Sequence, residues 1–159
     1  MKRGALMFRN YFFWNRIREG LITAIIILTV SGAASAAERY AVTGTLANIR
    51  SGPGTNHKIL YEAEKYYPIV ILQKTGNWYQ IEDYEGDIGW IFKTLVSKMY
   101  TVITIKSKCN IRSGPTIKDQ ILFVSEKGVP FQVIKMEGKW IHIRHSEGHE
   151  GWIHKSLVW

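Results

Sequence analysis

Residues 48–53 and residues 110–115 both read "NIRSGP", and the echo does not stop there. A shift of 62 residues pairs Ile59 and Leu60 with Ile121 and Leu122, Pro68 with Pro130, Trp78 with Trp140, and Ile81 with Ile143. The same shift pairs Gly89, Trp90 and Ile91 with Gly151, Trp152 and Ile153, then Leu95 and Val96 with Leu157 and Val158. Over residues 48–96, 22 of 49 positions match at that single shift, without an insertion. The chain is therefore a tandem duplication of one unit of about 60 residues. Two copies are too few for a solenoid, which needs three or more to bury a continuous core, so each unit must fold around a core of its own.

Within a unit, apolar residues alternate over short runs: "YPIVILQK" with "VPFQVIKM", "WYQIED" with "WIHIRH", and "DIGWIF" with "EGWIHK". Runs this short, rich in Ile, Val and aromatics and broken by Gly, Asn or Asp, predict strands. "TGN", "EGK", "YEGD" and "SEGH" supply the hairpin turns between them. An all-β unit of this size buries enough apolar surface only by curling its sheet into a small barrel. The repeated hexapeptide then reads as a corner. Ile49 and Ile111 point inward, Gly and Pro of "SGP" turn the chain off the sheet, and alternation puts Arg50 and Arg112 on the barrel surface beside that loop. Two roles stay open for these arginines: pairing with a loop carboxylate, or contact with a ligand.

The formal charge of +8 and pI near 9.6 would suit a nucleic acid, but five of the basic residues lie in the first twenty positions. They precede the apolar run "LITAIIILTV" and an A-x-A site at Ala34, Ser35 and Ala36, the pattern of a secretory signal cleaved after Ala36. The run is shorter than the roughly 20 residues that span a bilayer. Two alternatives are a start at Met7 and retention of the segment as a membrane anchor, the one case in which the membrane becomes a partner. Without the segment the charge falls to about +4, so no nucleic-acid partner is expected. The single cysteine, Cys109, cannot form an internal bridge. Its counterpart is Ala47, which makes a small buried residue the better reading than a nucleophile.

"NIRSGP", a proline-initiated strand, "GNW" or "GKW", and "GWI" followed by "K-[TS]-L-V" resemble, in order and spacing, the bacterial SH3-like domain family. The likeness covers nearly all of the chain beyond the leader, once per copy, and "WIHIRHSEGHEGWIHKSLV" is its closest stretch. Two departures flank the motif: before the asparagine, Ala47 and Cys109 replace a larger aliphatic, and after the proline Thr116 stands where copy one has Gly54. The resemblance implies a five-stranded SH3-like barrel, export to the cell envelope, and binding to peptidoglycan or to proteins associated with it. The expected fold class is thus all-β, with two tandem SH3-like barrels at 38–97 and 98–159 after a signal peptide at 1–36. Such domains often accompany a cell-wall hydrolase. No stretch of this sequence has the length or helical periodicity of a catalytic domain, so neither an enzyme nor a cofactor is expected.

His142, His145, His149 and His154 invite a metal reading, but nothing in their spacing along the chain enforces convergence, and solvated histidines are expected with no metal site. The tryptophans say more. Trp78 and Trp140 face outward by alternation, either as a contact surface or as a cover over a neighbouring loop. Trp90 and Trp152, each between a glycine and an inward isoleucine, fit a core edge or a groove equally well. A groove of aromatics beside the "RSGP" corner would suit an extended peptide. The expected ligand contacts are Arg50, Trp78 and Trp90 in copy one, and Arg112, Trp140 and Trp152 in copy two. The function expected is that of an exported binding module of the bacterial envelope or periplasm, recognising peptidoglycan or a wall-associated peptide. The alternative is a periplasmic adaptor that docks an envelope or membrane complex without touching glycan. The oligomeric state is left open by the sequence.

Overall fold

A computed structural model describes residues 39–159; the expected leader and its cleavage point after Ala36 lie outside the described residues. Thirteen strands form two antiparallel sheets, and no α-helix occurs among the described residues. The first sheet contains β1 (Arg39–Val42), β2 (Leu46–Arg50), β3 (Ile59–Glu64), β4 (Pro68–Thr75), β5 (Trp78–Glu82), β6 (Ile88–Phe92) and the short β7 (Val96–Ser97), in the order β3-β2-β6-β5-β4-β1-β7. The second contains β8 (Thr101–Ile103), β9 (Cys109–Arg112), β10 (Ile121–Ser125), β11 (Pro130–Glu137), β12 (Trp140–Arg144) and β13 (Glu150–His154), in the order β10-β9-β13-β12-β11-β8. A single 3-10 turn, Lys93–Leu95 or Lys155–Leu157, follows the last long strand of each copy. Val96 and Ser97, at the end of the first unit, form β7 and pair with β1. With the added strands β1, β7 and β8, the sheets hold seven and six strands where the resemblance implies five.

All seven strands of the first sheet send a residue into one cluster: Val42, Ala47, Ile49, Ala63, Ile69, Ile81, Ile91 and Val96. A sheet whose every strand feeds a single core has curled around it. The second core is built from Val102, Cys109, Ile111, Phe131, Ile141, Ile143 and Ile153, with the partly buried Phe123 of β10 packed against it. Cys109 fills the place of Ala47 and is fully buried; burial pushes its thiol up, as expected of a packing residue. Bulges recur at matched points, with Leu60 and Leu122 as the extra residues of β3 and β10, and Leu72 and Ile134 as those of β4 and β11. An inserted residue sharpens the local bend, which is what a barrel this small requires.

A seam that joins the hairpin of each copy to its three-stranded meander runs between β2 and β6, and between β9 and β13, where Arg50 pairs with Trp90 and Arg112 with Trp152. Next to each pair sits a glycine. A Cβ on Gly151 would lie 2.5 Å from Ile111 Cγ2 and 2.9 Å from the Arg112 carbonyl oxygen. Gly89 faces Ile49 in the same way. The glycine of "GWI" and the isoleucine of "NIRSGP" are therefore two halves of one contact, and their joint recurrence has a steric cause.

A second fixed point holds the turn after β5. Asp83 is buried, and its Oδ1 accepts the backbone N–H groups of Glu85 and Asp87 at 2.9 and 3.0 Å. Its Oδ2 accepts the Tyr61 and Tyr67 hydroxyls at 2.9 and 3.0 Å. Both phenols are pushed far above their ordinary range, chiefly by burial and then by the Asp83 charge. Between the sheets, the Lys127 ammonium meets Glu85 Oε1 at 2.7 Å and the Arg39 guanidinium lies 4.3 Å from the Trp159 ring centroid. Both members of the Lys127–Glu85 pair are about half exposed, so it contributes little to stability.

The seam makes a direct prediction. Gly151→Ala forces Ile111 or the β9 backbone to shift and should destabilise the second barrel by about 1–3 kcal/mol, read as a lowered midpoint in thermal or urea unfolding. Gly44→Ala, whose added Cβ meets only the Leu46 carbonyl at 3.8 Å, should change stability by less than about 0.5 kcal/mol. Equal effects from the two substitutions would refute the interlock.

Candidate functional site

The outer face of the sheet opposite the Ile49–Gly89 contact carries two rows of side chains. Register places Arg50, Trp90 and Gln80 in one row, and Trp78 beside Phe92 in the next. The second copy repeats this with Arg112, Trp152 and His142, then Trp140 beside His154. Trp78 stands edge-on to Phe92 with centroids 5.4 Å apart, and Trp140 edge-on to His154 at 5.3 Å. Half-buried indoles held in this way form one wall of a groove.

In copy one the groove has a volume of about 300 Å³ and is lined by Leu46, Ala47, Asn48, Arg50, Thr55, Trp78, Phe92 and Leu95. In copy two the volume is about 270 Å³ and the lining is Lys108, Asn110, Arg112, Ile117, Trp140, His154, Ser156 and Leu157. Asn, Arg, Trp and Leu recur at the shift of 62, so the duplication has preserved a concavity as well as a core. No Asp or Glu is among the described lining residues of either groove. Lys108 and His154, in place of Leu46 and Phe92, make the second groove the more polar and basic one.

The arginines are tied to the corner loop. Arg50 Nη1 donates to the Thr55 and His57 carbonyls at 3.1 and 2.9 Å, and Arg112 Nη1 donates to the Asp119 carbonyl at 2.8 Å. Their partners here are loop backbone carbonyls, where the sequence left a loop carboxylate or a ligand open; the Asp119 carboxylate accepts the Thr116 N–H at 2.8 Å. A Cβ on Gly52 would fall 2.5 Å from the His57 ring, and one on Gly114 would fall 2.7 Å from the Asp119 carboxyl. The glycine of "SGP" thus lets the loop fold back on itself while the arginine pins it as the groove's rim.

The structure brings Arg50 with Trp78, and Arg112 with Trp140, into their grooves, but leaves Trp90 and Trp152 out of the lining. Trp90 is half-buried beside Arg50. Trp152 is only 7% exposed, stacked on His142 with centroids 5.0 Å apart and with Lys135 Nζ 4.9 Å from its ring centroid. In copy two this tryptophan supports the groove floor from beside it. Sequence reasoning missed Asn48 and Asn110, Leu95 and Leu157, and the Phe92/His154 pair of positions. Outer-face alternation from Arg50 and Trp90 would have found the asparagines and position 92. A larger hollow of about 630 Å³ lies where the two sheets meet, lined by Arg39, Pro68, Lys98, Met99, Tyr100, Thr101, Val102 and Met136. It occurs at the single joint and uses none of the duplicated groove residues, so it reflects imperfect closure between barrels. Among the described residues, one trio, His145, Glu147 and His149, has the donor atoms to hold a metal ion.

The bacterial SH3 domain family matches this chain twice, over residues 43–98 and 106–159. The chain belongs to that family. Both bacterial SH3 matches contain a complete groove, from the asparagine to the final leucine. Among curated relatives, the chain is 26% identical over 149 residues to a Bacillus subtilis protein named as an N-acetylmuramoyl-L-alanine amidase, YrvJ; the match covers 87% of this chain and 29% of that one. It is 36% identical over 52 residues to a Staphylococcus epidermidis protein named as a cell wall amidase, LytH, a match covering 32% of this chain and 18% of the other. The chain thus spans less than a third of the length of either relative. Solved structures similar to it include NlpC1 from Trichomonas vaginalis, at 16% identity and TM-score 0.36 over 84% of this chain and 49% of that one. An NlpC/P60 family protein from Bacillus cereus is similar at 11% identity and TM-score 0.38, over 76% and 55% of the two chains.

The loop-pinning role of the arginine predicts that Arg50→Met releases residues 51–58. The loss should be about 1 kcal/mol, seen as faster hydrogen exchange at the Ser51 and His57 amides, which bond to the Lys58 and Gly54 carbonyls. Exchange at the core amide of Ile49 should not change. Unaltered exchange in the loop would assign Arg50 to ligand contact alone.

Proposed function

We propose that this chain is a non-catalytic binding module of the bacterial envelope that recognises peptidoglycan, or an extended peptide associated with it, through two matched grooves. The observation carrying this reading is the recurrence, at one fixed shift, of a concavity lined by Asn, Arg, Trp and Leu with no carboxylate among its described lining residues. An indole wall offers a flat apolar face to a sugar ring or an extended peptide. A guanidinium at the rim favours a carboxylate, and stem peptides carry carboxylates. One relative is named as an N-acetylmuramoyl-L-alanine amidase and another as a cell wall amidase, and the matching segment is a minor part of each. We assign to this chain the anchoring part of such proteins and not their hydrolysis.

The non-catalytic reading rests on what the structure does with its one thiol, which is fully buried, pushed up by that burial and directed at the Lys106 and Leu157 carbonyls. Export, expected from the N-terminal segment, places the grooves where wall material is. Two weak grooves on one chain raise avidity wherever both can engage neighbouring wall strands. Their different linings suit them to different parts of one polymer.

Co-sedimentation with protein-stripped sacculi tests the proposal. The chain should pellet with sacculi at moderate salt, because stacking survives the screening that removes surface charge attraction. Trp78→Ala with Trp140→Ala should weaken this at least about tenfold, the loss expected when aromatic anchors are truncated. Failure of the unaltered chain to bind would transfer the function to an envelope protein partner. Release of soluble wall fragments by the purified chain would overturn the non-catalytic assignment.

A further inference from the structure

We propose that the turn between β12 and β13 is a binding site for a divalent transition-metal ion of the zinc class, held by His145, Glu147 and His149. The matched turns of the two copies have the same backbone. In copy one, Asp83 N–H bonds to the Asp87 carbonyl at 3.1 Å and Gly86 N–H to the Asp83 carbonyl at 3.1 Å. In copy two, His145 N–H bonds to the His149 carbonyl at 2.8 Å and Gly148 N–H to the His145 carbonyl at 3.0 Å. Gly86 and Gly148 take the left-handed φ of 88° and 92° that closes each turn. Against that constant frame the chain keeps the glutamate and the glycine and exchanges both aspartates for histidine.

The exchange changes what the turn's side chains are for. The Asp83 carboxylate is consumed by two backbone N–H groups and two tyrosine hydroxyls. In copy two, Phe123 and Val129 stand where those tyrosines stood, so the hydroxyl donors are gone. His145 Nδ1 faces the Glu147 N–H at a long 3.3 Å. The His145 ring stands edge-on to Phe131 at 5.5 Å and the His149 ring leans on Phe123 at 6.0 Å, so phenylalanines prop both imidazoles from behind.

One donor atom from each of His145, Glu147 and His149 lies within 4.8 Å of the other two. Glu147 Oε2 is 3.7 Å from His145 Nδ1 and 3.8 Å from His149 Nδ1. Ligands of a tetrahedral ion with bonds of about 2.0–2.1 Å stand roughly 3.3 Å apart, so small side-chain rotations bring the trio into range. A hairpin already closed by two backbone hydrogen bonds keeps the ordering cost low. Two imidazoles and a carboxylate favour zinc, copper(II) or nickel over the oxygen-seeking calcium and magnesium. Three protein ligands leave a fourth position for water or an external donor. The site is independent of the grooves, since none of the three residues lines them.

The test is calorimetric titration of the full chain, free of any histidine tag, with zinc chloride, followed by NMR of the imidazole nitrogens. The site predicts one ion per chain, with nitrogen shifts at His145 and His149. His149 is 69% exposed, so His149→Ala should leave unfolding of the metal-free protein unchanged while weakening zinc at least about tenfold. His57→Ala, in the other copy, should bind like the unaltered chain. Absence of zinc binding at any excess that keeps the protein soluble would overturn the proposal, as would equal zinc affinity in His149→Ala or nitrogen shifts confined to other histidines.

Discussion

The contact of Ile49 with Gly89, repeated as Ile111 with Gly151, joins the β2–β3 hairpin to the β4–β5–β6 meander, and the β9–β10 hairpin to β11–β12–β13, along a seam where a side chain on the glycine has no room. Strand pairing there is brief, with one matched pair of residues in each copy, so the seam depends on close backbone approach more than on a long hydrogen-bonded ladder. Once it closes, alternation leaves no freedom. The isoleucine is in the core, its neighbour Arg50 or Arg112 is on the outer face, and the tryptophan after the glycine lies beside that arginine. The groove is the outer side of the same contact.

This explains why the two copies diverge where they do. Residues that close the seam or pin the corner loop are duplicated: Ile, Arg, Ser, Gly and Pro on one side, and Gly, Trp and Ile on the other. Positions that only colour the groove have drifted, with Leu46 against Lys108, Thr55 against Ile117, and Phe92 against His154. The turn after the fifth strand of the unit diverges further still. A carboxylate hub tied to two tyrosines in copy one becomes a pair of imidazoles resting on phenylalanines in copy two. Each turn remains closed by its own backbone, which frees the side chains for separate tasks.

The all-β architecture and the inward or outward direction of each repeated residue were legible in the sequence, because a period of two along short apolar runs leaves one arrangement that buries Ile49, Ile81 and Ile91 together. The partners of Arg50 and Arg112 were not, since a backbone carbonyl has no signature in a sequence, which left a loop carboxylate and a ligand equally open. Trp90 and Trp152 stayed ambiguous for a related reason. Alternation places both on the outer face, but whether such a ring lines a cavity depends on its neighbours, and His142 and Lys135 cover Trp152 where copy one has Gln80 and Gln73. That His145 and His149 can approach across the hairpin was legible from alternation, but the third donor, Glu147, was not, because spacing along the chain does not show which way a turn side chain swings.

The duplicated seam holds two matched grooves, and the proposal that these grooves take up wall material is the step that most needs testing. It is tested most directly by titrating the isotopically labelled chain with a soluble disaccharide–stem-peptide fragment of peptidoglycan while observing the indole N–H signals. The account predicts that Trp78 and Trp140 shift with the Asn48 and Asn110 amides, while the core amides of Ile81 and Ile143 stay in place. Shifts confined to the residues around Tyr100 and Met136 at the joint between barrels would contradict it.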